Sequence, residues 1–180
     1  MSDRLVSHFV VEAIVAMADH AELSLSELCV GLSVDEHDLR RRMGGLVWDD
    51  ATALIDRIEQ RVGPERIREL GARVPQISPI AQTVLRRLVR PRQMLRFVFR
   101  TLGPSMYPMY VITHEEQEQP DGSVVVHVCL RLKEGFRGCP TLFDLHGIST
   151  ANTPVILGDD PLPMRSETTG HGGDYWFTVR

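Results

Sequence analysis

Residues 107–132 read YPMYVITHEEQEQPDGSVVVHVCLRL, and this stretch decides the fold. Tyr107–Glu116 and Val124–Leu132 have the composition of β-strands, and Pro120-Asp121-Gly122-Ser123 between them has the residues of a tight turn. The stretch therefore predicts a β-hairpin. Every second position of the second strand is apolar, so one strand face should pack against helices. These positions are Val124, Val126, Val128 and Leu130.

The chain before the hairpin has the pattern of short helices, which ends just after Gly103-Pro104. Apolar residues recur at helical spacing, and capping residues, glycine and proline separate the segments. The first helix has so wide an apolar stripe that we expect it to be buried on two sides. The predicted helices span residues 3–20, 25–30, 35–43, 49–62, 64–71, 78–88 and 91–102.

The chain after the hairpin completes a sheet. Short helices are predicted at Pro140–Gly147 and Pro154–Leu157, and strands at Met164–Thr168 and Tyr175–Val179, with the glycine-rich turn Gly170–Asp174 between the strands. The predicted fold class is α+β: an N-terminal helical block of short helices packed on a small, mainly antiparallel four-stranded sheet.

Length and composition favour one compact domain. With 180 residues, of which 43% are hydrophobic, the chain can bury a sizeable core. We expect a single domain over residues 1–180, with a helical subregion at 1–103 and a sheet subregion at 104–180. Because the sheet ends abruptly at Arg180, we also expect this domain to be the N-terminal part of a longer protein.

Charge and cysteine content exclude several classes of protein. The net charge of -4 gives no global electrostatic reason to bind nucleic acid or an anionic membrane. Three cysteines are an odd number without metal-ligand spacing, which predicts reduced thiols and a cytoplasmic location. The apolar run Leu5–Met17 contains polar residues and is too short to span a bilayer, so no membrane partner is expected.

Catalytic motifs are missing from the sequence. It contains no nucleophile elbow, phosphate-binding Walker loop, paired-cysteine motif or HExxH metal motif, which favours a protein that is not an enzyme. A strand would place His114 and Glu116 on one face, with Glu115 between them, but charged residues at strand ends are usually solvated. We therefore predict no catalytic residue and no assured metal site.

Two residues indicate haem binding as an alternative function. Cys139, followed by Pro140, and His146 are residue types that serve as axial ligands of haem iron. The competing interpretation is that Cys139 is a small buried apolar residue and Pro140 begins a helix. No cofactor is assured by these residues, and haem stays an open alternative.

DNA binding is a second alternative. Leu25–Met43 has the layout of a helix-turn-helix, whose second helix carries Arg40, Arg41 and Arg42. The start of that helix, which would enter the major groove, is instead acidic at Asp35, Glu36 and Asp38. These carboxylates would face phosphates unfavourably.

Two stretches resemble bacterial sensory domains. The first, residues 23–62, contains Gly31-Leu32 and Val47-Trp48-Asp49-Asp50 and resembles the opening of the N-terminal domains of AraC-type regulators. The second, residues 147–180, contains Leu157-Gly158-Asp159-Asp160-Pro161 and Tyr175-Trp176-Phe177 and is similar to the tail of the haem-NO-binding-like and vinyl-reductase-like sensor superfamily. The resemblance implies an α+β domain that holds a small ligand between helices and sheet. It also implies a homodimer and a C-terminal kinase, cyclase or DNA-binding effector.

Together these observations predict a non-catalytic sensory domain that binds a small apolar ligand, dimerises, or does both. We expect an apolar pocket between the helix at 91–102 and the sheet, and a cavity of roughly 300 Å³ or more there would favour ligand sensing. A solid core would favour pure dimerisation. The aromatic residues predicted to line or cover this pocket are Phe97, Phe99, Tyr107, Tyr110, Phe136, Phe143 and Trp176.

Overall fold

The N-terminal part of the chain is helical in the computed structural model, which describes residues 5–41, 46–78, 83 and 90–180. Two short strands, β1 (Leu5–Val6) and β2 (Leu46–Val47), pair antiparallel beside the helices. The helices of this part are α1 (His8–His20), α2 (Leu25–Leu28), α3 (Glu36–Arg41), α4 (Trp48–Val62) and α5 (Pro64–Ile77).

In the N-terminal part of the chain, the predicted start of the first helix and the predicted end of the fifth are wrong, each for a local reason. The first helix begins at His8 and not near residue 3, because Leu5 and Val6 pair with β2. The fifth helix continues past Gly71, which the sequence prediction took as its end. A Cβ at Gly71 would lie 2.4 Å from Cδ2 of Leu145, so this glycine allows close helix packing and does not stop the helix.

The segment before the hairpin contains a widened helical turn. Helix α6 (Pro91–Phe97) continues into a π-helical turn at Val98–Leu102 and then into α7 (Gly103–Met106). Pro104 has no backbone N–H to donate into the regular helical ladder, and the wider turn directly precedes it. The helix predicted at 78–88 lies outside the described residues, apart from Ser78 and Thr83.

The four-stranded sheet confirms the predicted fold class. Its strands are antiparallel throughout and lie in the order β3-β4-β6-β5. In the hairpin Ile112 lies opposite Leu130, and across the next pair Val126 lies opposite Phe177. The strands are β3 (Tyr110–Glu118), β4 (Val124–Leu132), β5 (Met164–Thr169) and β6 (Gly172–Val179).

Helix α8 (Pro140–Asn152) packs against the inner face of the sheet and is followed by a 3-10 turn at Thr153–Leu157. The predicted helix end at Gly147 is wrong because this glycine faces the sheet. A Cβ there would lie 2.7 Å from the ring of Tyr175. The apolar residues of β4 named above are buried, as predicted, so the core lies between the sheet and the helices.

The predicted turn at Gly170–Asp174 is shorter in the structure. Only Gly170 and His171 form the turn, and Gly172 begins β6. A Cβ at Gly172 would lie 2.6 Å from the carbonyl oxygen of Leu130, and one at Gly173 would lie 2.2 Å from the hydroxyl of Tyr175. Both glycines are therefore required by close approach within the sheet.

Candidate ligand-binding cavity

A cavity of about 160 Å³ lies where helices α1, α5 and α8 meet the sheet and the segment 98–107. Its wall is mainly apolar. The helical block supplies Phe9, Val10, Ala13, Val74, Pro75, Ser78, Val98, Phe99, Leu102, Gly103 and Met106. The segment before β3, the sheet, α8 and the 3-10 turn after it supply Tyr107, Tyr110, Ile112, Leu130, His146, Ser149, Thr150 and Thr153.

The local sequence explains how the helical wall is formed. Phe9, Val10 and Ala13 follow one another at helical spacing, so they lie on one side of α1. Val98 and Leu102 are the first and last residues of the wide π-helical turn. At Gly103 a Cβ would lie 2.8 Å from Cδ1 of Ile112, so the absent side chain lets this segment approach β3 closely.

A polar cluster interrupts the apolar wall at one side. The hydroxyl of Tyr110 lies 3.1 Å from Nε2 of His146, in a hydrogen bond whose donor depends on the histidine tautomer. The ring of Tyr107 stacks on that of Tyr110 at a centroid distance of 4.9 Å and meets the His146 ring edge-on at 4.6 Å. Three aromatic side chains with polar atoms therefore contact one another beside the cavity.

These side chains are uncharged at neutral pH. Burial lowers the pKa of His146 to about 3, because an imidazolium cation is poorly solvated there. Burial also raises the pKa of Tyr107 and of Tyr110 well above their usual value. The cluster can therefore form hydrogen bonds through uncharged groups.

Cys139, one of the two haem-ligand candidates, lies outside the cavity. It is buried at the start of α8, with its sulfur 3.6 Å from Oδ1 of Asp56. Burial raises the pKa of Cys139 to about 12, which keeps the thiol protonated. His146, the other candidate, lines the cavity. The described residues contain no cluster of three or more His, Cys, Asp or Glu side chains that could hold a metal ion.

The structure brings three of the seven predicted pocket residues to the cavity wall, namely Phe99, Tyr107 and Tyr110. Phe143 stacks on Tyr110 at 5.3 Å without lining the cavity, and Phe97 is half-buried and does not line it either.

The remaining two predicted pocket residues lie elsewhere in the fold. Phe136 packs edge-on against the ring of Trp48. Trp176 lies between the buried Tyr175 and Phe177 on β6, so strand alternation directs it to the opposite face, where it stacks on His127. Neither Phe136 nor Trp176 therefore lines the cavity, in contrast to the prediction.

Sequence reasoning missed the contribution of α1 and α5 to the cavity. The signal was present in α1, whose wide apolar stripe predicts burial on two sides. One side of α1 packs in the core through Val11 and Ile14, and Phe9 and Ala13 face the cavity. No comparable signal marks Val74, because it follows a predicted helix end.

The residues His114 and Glu116 are adjacent, as the strand pattern predicts, but they contact arginines of α6 and of the π-helical turn that follows it. Glu116 accepts hydrogen bonds from Nε of Arg92 at 2.6 Å and from an NH2 nitrogen of Arg96 at 2.7 Å. Nδ1 of His114 lies 3.2 Å from Arg100. Glu115 is exposed on the other face of the strand. The group is an ion-paired contact between α6 and β3.

The arginines of the DNA-binding alternative are only partly available. Arg40 forms ion pairs with Asp19 at 2.9 Å and with Glu36 at 2.8 Å. Arg41 is exposed, and Arg42 lies outside the described residues. The guanidinium of Arg40 is therefore committed to carboxylates within the fold.

Comparison with known proteins identifies the fold. No protein-family model matches the sequence, and no curated protein matches it. A crystal structure of an oxygen-binding H-NOX domain related to soluble guanylate cyclases, in its oxygen complex, superposes with a TM-score of 0.60. The chain has an H-NOX-like fold. The superposition covers 93% of this chain and 90% of the H-NOX chain, and 10% of the residues are identical.

At this identity the H-NOX likeness concerns the fold alone. It agrees with the haem-NO-binding-like resemblance of the sequence, whereas the AraC-type and vinyl-reductase-like resemblances gain no support from it. No helix within the described ranges is both long and apolar enough to cross a bilayer.

Proposed function

We propose that this protein is a sensory domain that binds a small, neutral, apolar ligand in the cavity between α1, α8 and the sheet. The observation that carries the proposal is the cavity itself, because its wall is mainly apolar with a few polar groups, as is typical of small-molecule sites. The H-NOX-like fold supports the proposal, since the neighbouring structure is described as an oxygen-binding domain.

The cavity volume limits the size of the ligand. The observed volume of about 160 Å³ does not reach the roughly 300 Å³ that we expected for ligand sensing, which is the lower size of a site for a drug-sized ligand. The proposal is therefore confined to smaller ligands. The observed volume is similar to that of an engineered apolar cavity of about 150 Å³ that binds benzene or xenon. The proposed ligand therefore ranges from a dissolved gas to a molecule of about six heavy atoms.

Haem, the alternative cofactor, does not fit the described cavity. A tetrapyrrole needs far more space than 160 Å³, and its two carboxylates need cations or solvent. Among the described lining residues there is no lysine or arginine. His146 is the one histidine among the described lining residues, and its Nε2 already lies in a hydrogen bond with Tyr110. We expect the protein to show no Soret band that depends on His146 after incubation with haem.

The wider role follows from the same proposal. A sensory domain without its own chemistry acts through a partner, so the proposal includes a homodimer and an effector that responds to ligand binding. Three free cysteines support a reducing, cytoplasmic location. Analytical ultracentrifugation of the protein with and without ligand tests the dimer separately from binding.

Ligand binding is tested with benzene as the probe. A ligand that binds only the native state raises the melting temperature, because it increases the free energy of unfolding by RT ln(1 + [L]/Kd). We expect benzene to stabilise the wild-type protein and not Ala13→Leu, because Ala13 lines the cavity and the larger side chain fills it. The matched control is Ala16→Leu, a half-buried alanine of the same helix that does not line the cavity. Equal stabilisation of all three proteins would contradict binding in this cavity.

A further inference from the structure

The hydroxyl of Tyr107 is a polar group that the surrounding protein leaves unused. Tyr107 lines the cavity, and its hydroxyl has no hydrogen-bond partner among the residues that the structure describes. Its ring contacts the rings of both Tyr110 and His146, at centroid distances of 4.9 and 4.6 Å, which restricts its position. The hydroxyl is therefore held in place before any ligand arrives.

The neighbouring polar groups do not compensate for this unused hydroxyl. Tyr110 and His146 are joined to each other. The hydroxyl of Thr153 donates to the carbonyl oxygen of Ser149, and the hydroxyl of Ser78 donates to Glu12. A ligand that places an acceptor beside the Tyr107 hydroxyl forms a hydrogen bond there, in a wall that is otherwise mainly apolar. The cavity thus favours a ligand with one acceptor at one end.

We infer that the ligand is a small neutral carbonyl compound, a ketone or aldehyde of about six heavy atoms, whose oxygen accepts a hydrogen bond from the Tyr107 hydroxyl. The inference rests on the proposed function, because it specifies the ligand of the same cavity. The apolar body of such a compound would contact side chains such as Phe9 and Val98.

Other polar ligands fit the cavity less well. A carboxylate would be buried beside no lysine or arginine of the described lining, at a large cost in solvation. A carbonyl oxygen accepts and does not donate, so it matches the donor that Tyr107 presents.

The test compares cyclopentanone with methylenecyclopentane, which has the same shape but carries a CH₂ group in place of the oxygen. Both are titrated into the full chain and into Tyr107→Phe, which removes only the hydroxyl. We expect Tyr107→Phe to weaken cyclopentanone binding about tenfold and to leave methylenecyclopentane binding unchanged. An equal effect on both probes, or no effect, would overturn the inference.

A second measurement needs no variant. The infrared carbonyl stretch of cyclopentanone bound to the wild-type protein should lie below its frequency in hexane, because a hydrogen bond weakens the C=O bond. A stretch at the hexane frequency would overturn the inference. Binding of methylenecyclopentane in that experiment would leave the proposed function intact, whereas failure of both probes to bind would contradict the proposed function itself.

Discussion

The Tyr110 hydroxyl lies 3.1 Å from Nε2 of His146, and this hydrogen bond joins the first residue of β3 to the middle of α8. The two residues are 36 positions apart in the chain. Because both line the cavity, the bond closes one side of it and holds helix and sheet at a fixed separation there. Under the proposed function, a ligand in the cavity would contact the same two elements, because Tyr110 and His146 both line it.

The depressed pKa of His146 predicts that folding stability falls at mildly acidic pH. The unfolded chain takes up a proton near pH 6.5, whereas the native ring stays neutral down to a pKa of about 3. Stability is therefore complete above pH 6.5 and is lost progressively between pH 6.5 and pH 3. From pH 6.5 to pH 5 the loss approaches about 2 kcal/mol, at about 1.4 kcal/mol for each pH unit.

Urea unfolding of the wild type and of His146→Gln at pH 7 and pH 5 measures this loss. We expect the free energy of unfolding of His146→Gln to change much less between pH 7 and pH 5 than that of the wild type. The variant His171→Gln, at an exposed position, should behave like the wild type. Burial also lowers the pKa of His114, but this residue is present in all three proteins and adds the same pH dependence of stability to each. Identical pH dependence in the wild type and His146→Gln would show that His146 is not the group responsible.

The ion pair between Glu116 and α6 predicts a contrast between two neighbouring carboxylates. Glu116 is 10% exposed and contacts both Arg92 and Arg96, whereas Glu118 is 80% exposed and lies 3.9 Å from Arg92. We expect Glu116→Gln to lower the free energy of unfolding by about 1 kcal/mol at pH 7, since the arginines are partly solvated. Glu118→Gln should change it by less than about 0.5 kcal/mol.

The pH dependence of Glu116→Gln provides an independent check. Hydrogen bonding with Arg96 lowers the pKa of Glu116 to about 2. The stabilisation of the fold by the ionised carboxylate is therefore complete above the ordinary pKa of 4.5 and is lost as the pH falls toward 2. The difference between the wild type and Glu116→Gln should therefore shrink between pH 5 and pH 3. A constant difference would mean that the carboxylate charge is not its cause.

The strands could be predicted from sequence wherever polar and apolar residues alternate. The predicted limits of β4 match the structure because Val126, Val128 and Leu130 alternate with more polar neighbours. The face to which Trp176 points could not be predicted in this way. Tyr175, Trp176 and Phe177 are all aromatic, so the sequence contains no contrast between the two faces, and only the pairing of β6 with β4 decides it.

The cavity was harder to predict than the fold, because residues far apart in the chain form it. Phe9, Val74 and His146 come from three helices whose packing leaves a space between them. Helix α8 has apolar residues on most of its sides, which hides the direction in which His146 points. The pattern therefore raised His146 only as a possible ligand of iron, whereas the structure places it in the wall.

The close contact between α8 and β6 predicts that a methyl group at Gly147 is poorly tolerated. A Cβ there would lie 2.7 Å from two ring carbons of Tyr175, a fully buried residue that cannot move easily. We expect Gly147→Ala to destabilise the protein by about 2 kcal/mol through overpacking. In the control Gly170→Ala, the new Cβ lies 3.8 Å from Pro140, an ordinary contact, and thermal unfolding should show little change. Similar melting temperatures for both variants would contradict the packing described here.

The three free thiols are predicted to differ in reactivity. Cys29 and Cys139 are buried, and burial raises the pKa of both, to about 12 for Cys139. Cys129 is half-buried on the outer face of β4. Because the thiolate is the reactive form and must also be reached by the reagent, we expect Cys129 alone to react rapidly with a disulfide reagent in the native protein. Cys129→Ser should remove the rapid phase, and Cys139→Ser should leave it unchanged. Cys139 lies at the start of α8 and contacts Asp56 of α4. A rapid reaction at Cys139 would therefore mean that α8 separates from α4 in the native state.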